Sequence, residues 1–165
     1  MKKFGIQAFF LMTFLLVLSS CGFHLRGSFT IPPQLQRLAI RPYQPYDPFQ
    51  RQLQKILKSN DVYIKEGDLD KNLPSIQLLS QDFSERVIAY GSDGQPNRAI
   101  LQYLVIYQIL DPQNRTSQEE RRVQVEREIT LNPNATLSTD NERNRLRNDL
   151  YSDAAFALVR QLSNL

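Results

Sequence analysis

Cys21 is the only cysteine of this 165-residue chain, and the residues in front of it say what chemistry it is placed for. Leu18-Ser19-Ser20-Cys21 sets small residues before a thiol, the pattern of a bacterial lipoprotein cleavage site. A thiolate is a far stronger nucleophile than a serine hydroxyl at neutral pH, so a cysteine here can take a diacylglyceryl group. Cleavage before Cys21 exposes an amine that is then acylated as well. Each buried methylene contributes ~0.8 kcal/mol, so two or three chains hold a protein to a membrane where one lets it exchange.

The flanking residues fit that reading. Lys2 and Lys3 open the chain, and an apolar run from Phe9 to Leu18 follows. About fifteen residues separate Gly5 from Ser20, fewer than the ~20 that a membrane-spanning helix needs. Gly22 stands where an Asp commonly retains lipoproteins in the inner membrane, so the expected location is the periplasmic side of the outer membrane. The expected organisation is a signal peptide over 1–20, a lipid-anchored tether over 21–33 and one domain over 34–165.

Catalytic chemistry has few candidates. His24 is the sole histidine and lies three residues from the anchor, so any Ser-His-Asp or Cys-His arrangement would have to be built in the tether. Neither a second His nor a free Cys is left for zinc, and neither a phosphate-cradling glycine loop nor G-x-S-x-G occurs. Carboxylates are plentiful, and they read as solvated surface. No enzyme, metal or cofactor is expected. Guanidinium groups pair bidentately with phosphate, which makes Arg98, Arg121, Arg122 and Arg143 the candidates for an anionic ligand. Arg145 and Arg147 crowd the same helix start as Arg143, where the helix dipole does not favour cations.

The charge balance narrows the partners. Lys and Arg number 20 against 17 Asp and Glu, and removal of Lys2 and Lys3 with the signal leaves 18 against 17, a net charge of about +1. A polyanion-binding module carries a larger excess, so nucleic acid is not an expected partner. With Cys21 occupied by lipid no disulfide is available, and the fold rests on its core. About 145 mature residues is the size of one ordinary domain.

The elements that hold these residues follow from local pattern. Ile31-Pro32-Pro33 favours extended backbone, and Gln34 to Ile40 reads as a first strand. Asp47 and Pro48 suit the cap and first position of a helix, in which Phe49, Leu53, Ile56 and Leu57 make one apolar stripe and Asn60 a stop. A polar linker spans Lys65 to Asn72, and Ile76, Leu78 and Leu79 begin a strand that the charged stretch Asp82 to Arg86 can extend. The cluster Gly91-Ser92-Asp93-Gly94 reads as a hairpin turn into the arm Ala99 to Leu110.

In that arm Leu101, Tyr103, Val105, Tyr107 and Ile109 share one face, and Ile100, Leu104, Ile106 and Leu110 share the other with Gln102 and Gln108. Such a strand is covered on both sides, or covered on one and offered to a partner or lipid on the other. Arg121 to Thr130 alternates as a half-buried strand, with Val123, Val125 and Ile129 inward and Arg127 interrupting them. Thr139 and Glu142 have capping-box spacing ahead of a helix with Leu146, Leu150, Ala154, Ala157, Leu158 and Leu162 on one stripe. The order is β-α-β-β-β-α. The expected class is α+β, with two helices packed on one face of a small four-stranded, mostly antiparallel sheet.

Cys21-Gly22-Phe23-His24-Leu25-Arg26 closely resembles the start of mature lipopolysaccharide-assembly lipoproteins of the LptE family. The likeness continues through Pro74-Ser75-Ile76 opening a strand, the hairpin at Gly94-Gln95, and Asp140-Asn141-Glu142 opening the last helix. The chain departs from some relatives in ending directly after that helix, and no concentrated basic patch stands out. The resemblance implies a non-enzymatic protein that plugs and partners the LptD β-barrel and binds lipopolysaccharide on its way to the cell surface. The rival readings from the residues are a lipid-anchored adaptor or lipid-binding subunit of another envelope transport system and, third, a periplasmic hydrolase.

Overall fold

The computed structural model describes residues 29–41, 44–65, 72–112, 119–132 and 136–165. The expected signal peptide, Cys21, His24 and the rest of the hexapeptide lie outside them. Among the described residues the chain runs β1 (Arg37–Arg41), α1 (Pro48–Ser59), β2 (Tyr63–Lys65), β3 (Ser75–Tyr90), β4 (Pro96–Leu110), β5 (Arg121–Thr130) and α2 (Thr136–Leu162). The strands form one sheet in the order β2-β1-β3-β4-β5.

The α+β class and the two helices agree with the sequence, and the strand count does not: the sheet has five strands rather than four. The extra strand, β2, is three residues long and pairs in parallel with β1, Arg37 opposite Tyr63 and Ala39 opposite Lys65. A segment that short has no periodicity to read. It becomes a strand because β1 offers an edge beside the end of α1. β1 also pairs in parallel with β3, so the antiparallel character belongs to the long β3-β4 and β4-β5 ladders.

Helix α1 starts as its residues dictate. The Asp47 carboxylate accepts the Phe49 amide N–H at 2.9 Å, and Pro48 takes the first helical position. Its end is a Schellman motif. The Val62 N–H donates to the Leu57 carbonyl at 3.1 Å and the Asp61 N–H to the Lys58 carbonyl at 3.3 Å, with Asp61 in the left-handed conformation at φ 59°. Val62 turns into the core and the chain enters β2 at once.

Helix α2 begins earlier than its capping-box spacing suggests. It opens at Thr136, so Thr139 lies inside the first turns, and its hydroxyl accepts the Asn132 backbone N–H at 3.4 Å. Glu142 faces Arg145 at 3.6 Å instead of completing a box. The hydrophobic stripe falls as expected, with Leu150, Ala154, Leu158 and Leu162 fully buried.

Both helices cover the same side of the sheet. Leu101, Tyr103, Val105 and Tyr107 of β4 are buried beneath them with Phe49, Leu53 and Leu57 of α1 and Leu158 of α2. Phe29 and Ile31, at the end of the expected tether, pack against this core as well. At the far end of the sheet Gly94, at φ 75°, makes the hairpin turn in a conformation that only glycine adopts without strain. The Gly91 N–H closes it on the Gln95 carbonyl at 2.7 Å.

Candidate interaction surface

Because side chains alternate along a strand, covering one face of β4 leaves the other open. Ile100, Gln102, Leu104, Ile106 and Gln108 project from it, all half-buried. Register places Arg122, Gln124, Glu126 and Glu128 of β5 on the same face, opposite Ile106, Leu104, Gln102 and Ile100. Ser80, Asp82, Ser84 and Arg86 of β3 flank the strip on its other side. Gln108 Nε2 donates to Gln77 Oε1 at 2.9 Å, and Arg41 of β1 stands opposite Gln77. The aliphatic strip lies on β4, one strand in from the β5 edge, and is rimmed by amides and charges.

Charge is not evenly spread over this face. Toward the hairpin it carries Asp82, Glu126 and Glu128 with Arg86 and Arg98. Toward the other end it carries Arg37, Arg41 and Arg122. The guanidinium of Arg37 lies 5.4 Å from the centre of the Tyr63 ring, and the Arg41 Nε is buried without a hydrogen-bond partner. Arg41 and Arg122 are three strand spacings apart, about 14 Å. Arg41 was legible in the run Arg37-Leu38-Ala39-Ile40-Arg41, whose alternation puts both arginines on one face, but only the sheet order brings it to the same end of the open face as Arg122.

The four arginines singled out from sequence do not converge. Arg98 is open-faced and held by Glu128 at 3.2 Å. Arg122 is on the same face eight residues along β5 from Thr130, the partner of Arg98, hence about 27 Å away along the strand. Arg121 points to the helix side, opposite Tyr107, and pairs with Glu119 at 3.0 Å. Arg143 ties α2 to β3 through Glu85 at 3.0 Å and also meets Asp140 at 2.8 Å. The hydrogen bond to Glu85 holds the Arg143 guanidinium above its ordinary basicity; burial works against it, and the charges of Glu85 and Asp140 add to the rise. Arg143 therefore braces α2 against the sheet, while the Arg121 pair is local to the start of β5.

Under the helices sits a polar chain. The Tyr103 hydroxyl donates to Gln81 Oε1 at 2.6 Å, and the Gln81 amide donates to the buried Asp47 carboxylate that caps α1. Burial, then Asp47 and Tyr151, push the Tyr103 phenol far above its ordinary value. The Tyr107 hydroxyl donates to Gln161 Oε1 at 2.8 Å, and burial pushes this phenol up to about 12.

A tyrosine raised when folded favours the protonated state, so its stabilisation is intact below the unfolded value of 10.0 and is lost as pH rises toward the folded value. The melting temperature is expected to hold up to about pH 10 and then fall, and the fall to be smaller in Tyr107→Phe. A scan from pH 7 to 11 by circular dichroism checks this.

One further concavity of about 400 Å³ opens beyond the ends of β3 and β4, lined by Gln34, Leu35, Pro74, Ile109, Asp111, Pro112 and Leu165. Its lining brings no nucleophile, base or cluster of ligating groups together. Among the described residues no group of three or more His, Cys, Asp or Glu is placed to hold a metal ion, and no helix is long and apolar enough to cross a membrane.

Among the described residues the fold is a sheet backed by helices on one face and amphipathic and uncovered on the other. Its relatives name the family. The family model described as LptE, Lipopolysaccharide-assembly, matches residues 35–162. LPS-assembly lipoprotein LptE of Pectobacterium atrosepticum is 31% identical over 147 residues, covering 89% of this chain and 79% of that protein. The protein of the same name from Photorhabdus laumondii is 32% identical over the same spans. The chain belongs to the LptE family of lipopolysaccharide-assembly lipoproteins.

Solved structures share the fold. Rare lipoprotein B from Shewanella oneidensis superposes with a TM-score of 0.67 at 16% identity, over 78% of this chain and 94% of that one. Lipoprotein B from Nitrosomonas europaea gives 0.65 at 20% identity, over 86% and 90%.

Proposed function

We propose that the chain is a non-catalytic outer-membrane lipoprotein, acylated at Cys21 and held on the periplasmic side, that partners and plugs an LptD-type β-barrel and binds lipopolysaccharide during its assembly. Family membership supports the assembly role, and the observation that carries the rest is the uncovered face of the sheet. Ile100, Leu104 and Ile106 offer apolar area to a protein wall or to acyl chains, while Arg41 and Arg122 offer guanidinium groups to phosphates. A partner that covers this face buries the strip and leaves the helical core untouched.

The test is a pull-down through a C-terminal tag from outer membrane solubilised in mild detergent. Stoichiometric recovery of one large β-barrel supports the reading. Recovery of the lipoprotein alone, or with an inner-membrane complex, moves the assignment to a lipid-anchored adaptor of another transport system. Leu104→Asp is the matching variant. Leu104 is half-exposed on the open face, so the substitution is expected to cost about 1 kcal/mol of stability and to abolish recovery of the barrel. A variant that recovers as much barrel as the wild type would show that the partner binds elsewhere.

A further inference from the structure

Tyr46 is the most exposed large hydrophobic side chain among the described residues, at 92%, and its backbone is in the left-handed region at φ 58°. Either feature is uncommon for an aromatic residue, and here they coincide. Gln44-Pro45-Tyr46-Asp47 makes the turn between β1 and α1, with a proline directly before the positive φ, a position that such turns give to glycine or asparagine. Asp61, the other described residue besides glycine with positive φ, is a short polar side chain that ends α1. Tyr46 instead puts a Cβ and a ring where the turn needs neither.

The turn is held on both sides. Pro45 fixes its own φ, and Pro48 occupies the first helical position. Asp47 between them is buried, and its carboxylate accepts the Phe49 N–H at 2.9 Å and a hydrogen bond from the Gln81 amide. The ring is therefore presented from a backbone that has little freedom left to lose when something covers it. A ring that stays in water while its backbone bears strain does nothing for the isolated domain, so its use is in contact with another molecule.

The position of the turn says which molecule. β1 pairs with β3 only as far as Gln77, and the turn lies where β3 continues past it, beside Gln81. Gln81 and Asp82 stand opposite Val105 and Leu104 of β4, so Tyr46 flanks the open face at the level of its aliphatic strip. We infer that the Tyr46 ring is an anchor that seats in the inner wall of the β-barrel proposed to cover that face. The inference rests on that reading and adds the residue at which the contact is fixed. The lumen of an outer-membrane barrel is lined by polar side chains, and tyrosine meets such a wall with an apolar ring and a hydroxyl that donates and accepts. A rigidly presented tyrosine is the kind of residue that carries a large share of an interface's energy.

In the test, the full tagged chain is expressed together with its barrel, with photoreactive p-benzoylphenylalanine in place of Tyr46 in one variant and of Leu104 in another. Both variants are expected to crosslink to the barrel. No crosslink from position 46 would overturn the anchor, and a crosslink from position 104 would then show that the barrel still covers the open face. Absence of the barrel from the pull-down as well would overturn both readings together.

Tyr46→Asn separates contact from fold. Asparagine tolerates the left-handed backbone, so the melting temperature is expected at or above that of the wild type. In competition with untagged wild type at equal expression, the same variant is expected to recover about tenfold less barrel, the loss that truncating an interface anchor causes. Tyr46→Phe keeps the ring and is expected to recover most of it. Barrel recovery by Tyr46→Asn equal to the wild type would show that the ring is idle, and a loss of barrel that accompanies a lowered melting temperature would show that it belongs to the fold; either result would overturn the inference.

Discussion

Tyr103→Asp is expected to abolish the cooperative thermal transition of the domain. Tyr103 is fully buried at the centre of β4. Its ring stacks on Phe83 at 4.3 Å between centroids and meets Phe49 and Tyr151 edge-on at 5.9 and 5.2 Å. Removing so large a buried ring costs about 3–5 kcal/mol. The carboxylate brings a charge into the same apolar space near Asp47, which adds several kcal/mol more because burial penalises an unpaired charge. Domains of this kind have only about 5–15 kcal/mol of stability to lose.

Tyr103→Phe separates packing from polarity. It keeps the ring and deletes only the hydroxyl that reaches Gln81, at a cost of about 1 kcal/mol, or somewhat more because Gln81 Oε1 loses its donor. Thermal melts of both variants by circular dichroism check this. A sharp melt for Tyr103→Asp close to that of the wild type would mean that this face of β4 is not the core.

Cys21→Ala has an equally large expected effect at a different level. Without the thiol no diacylglyceryl group can be attached, and two or three acyl chains at ~0.8 kcal/mol per buried methylene are lost together. The chain is expected to lose its outer-membrane fractionation. Its fold is expected to survive, because the described core begins at Phe29 and Ile31, downstream of the anchor. Membrane fractionation and a melt of the same preparation read the two statements separately. Processing and outer-membrane recovery identical to the wild type would refute the anchor.

The sequence by itself determined whatever depends on near neighbours along the chain. Asp47-Pro48 at the start of α1, the turn at Gly91 to Gly94, and the alternation of β4 and β5 are all local. Each is set by a capping oxygen, a fixed φ, a missing Cβ or a period of two, and each stands in the structure where the residues put it. The family likeness was legible for the same reason, since it rests on contiguous residues.

What only the tertiary structure decided depends on partners far apart in the chain. Residues 63–65 are a strand because β1 lies beside them, and Thr139 serves the Asn132 backbone because α2 starts a turn earlier than its capping-box spacing suggests. The two apolar faces of β4 were equal candidates for the core until α1 and α2 came down on the side of Tyr103 and Tyr107, leaving Ile100, Leu104 and Ile106 uncovered. The arginines divided in the same way. Arg143 became a brace because Glu85 of β3 came within reach, while Arg41 and Arg122 were set on the open face by a strand order that places β3 and β4 between them. Charge pairing and burial are properties of distance in space, and a strand's sequence carries only its own alternation, not the side from which it will be covered.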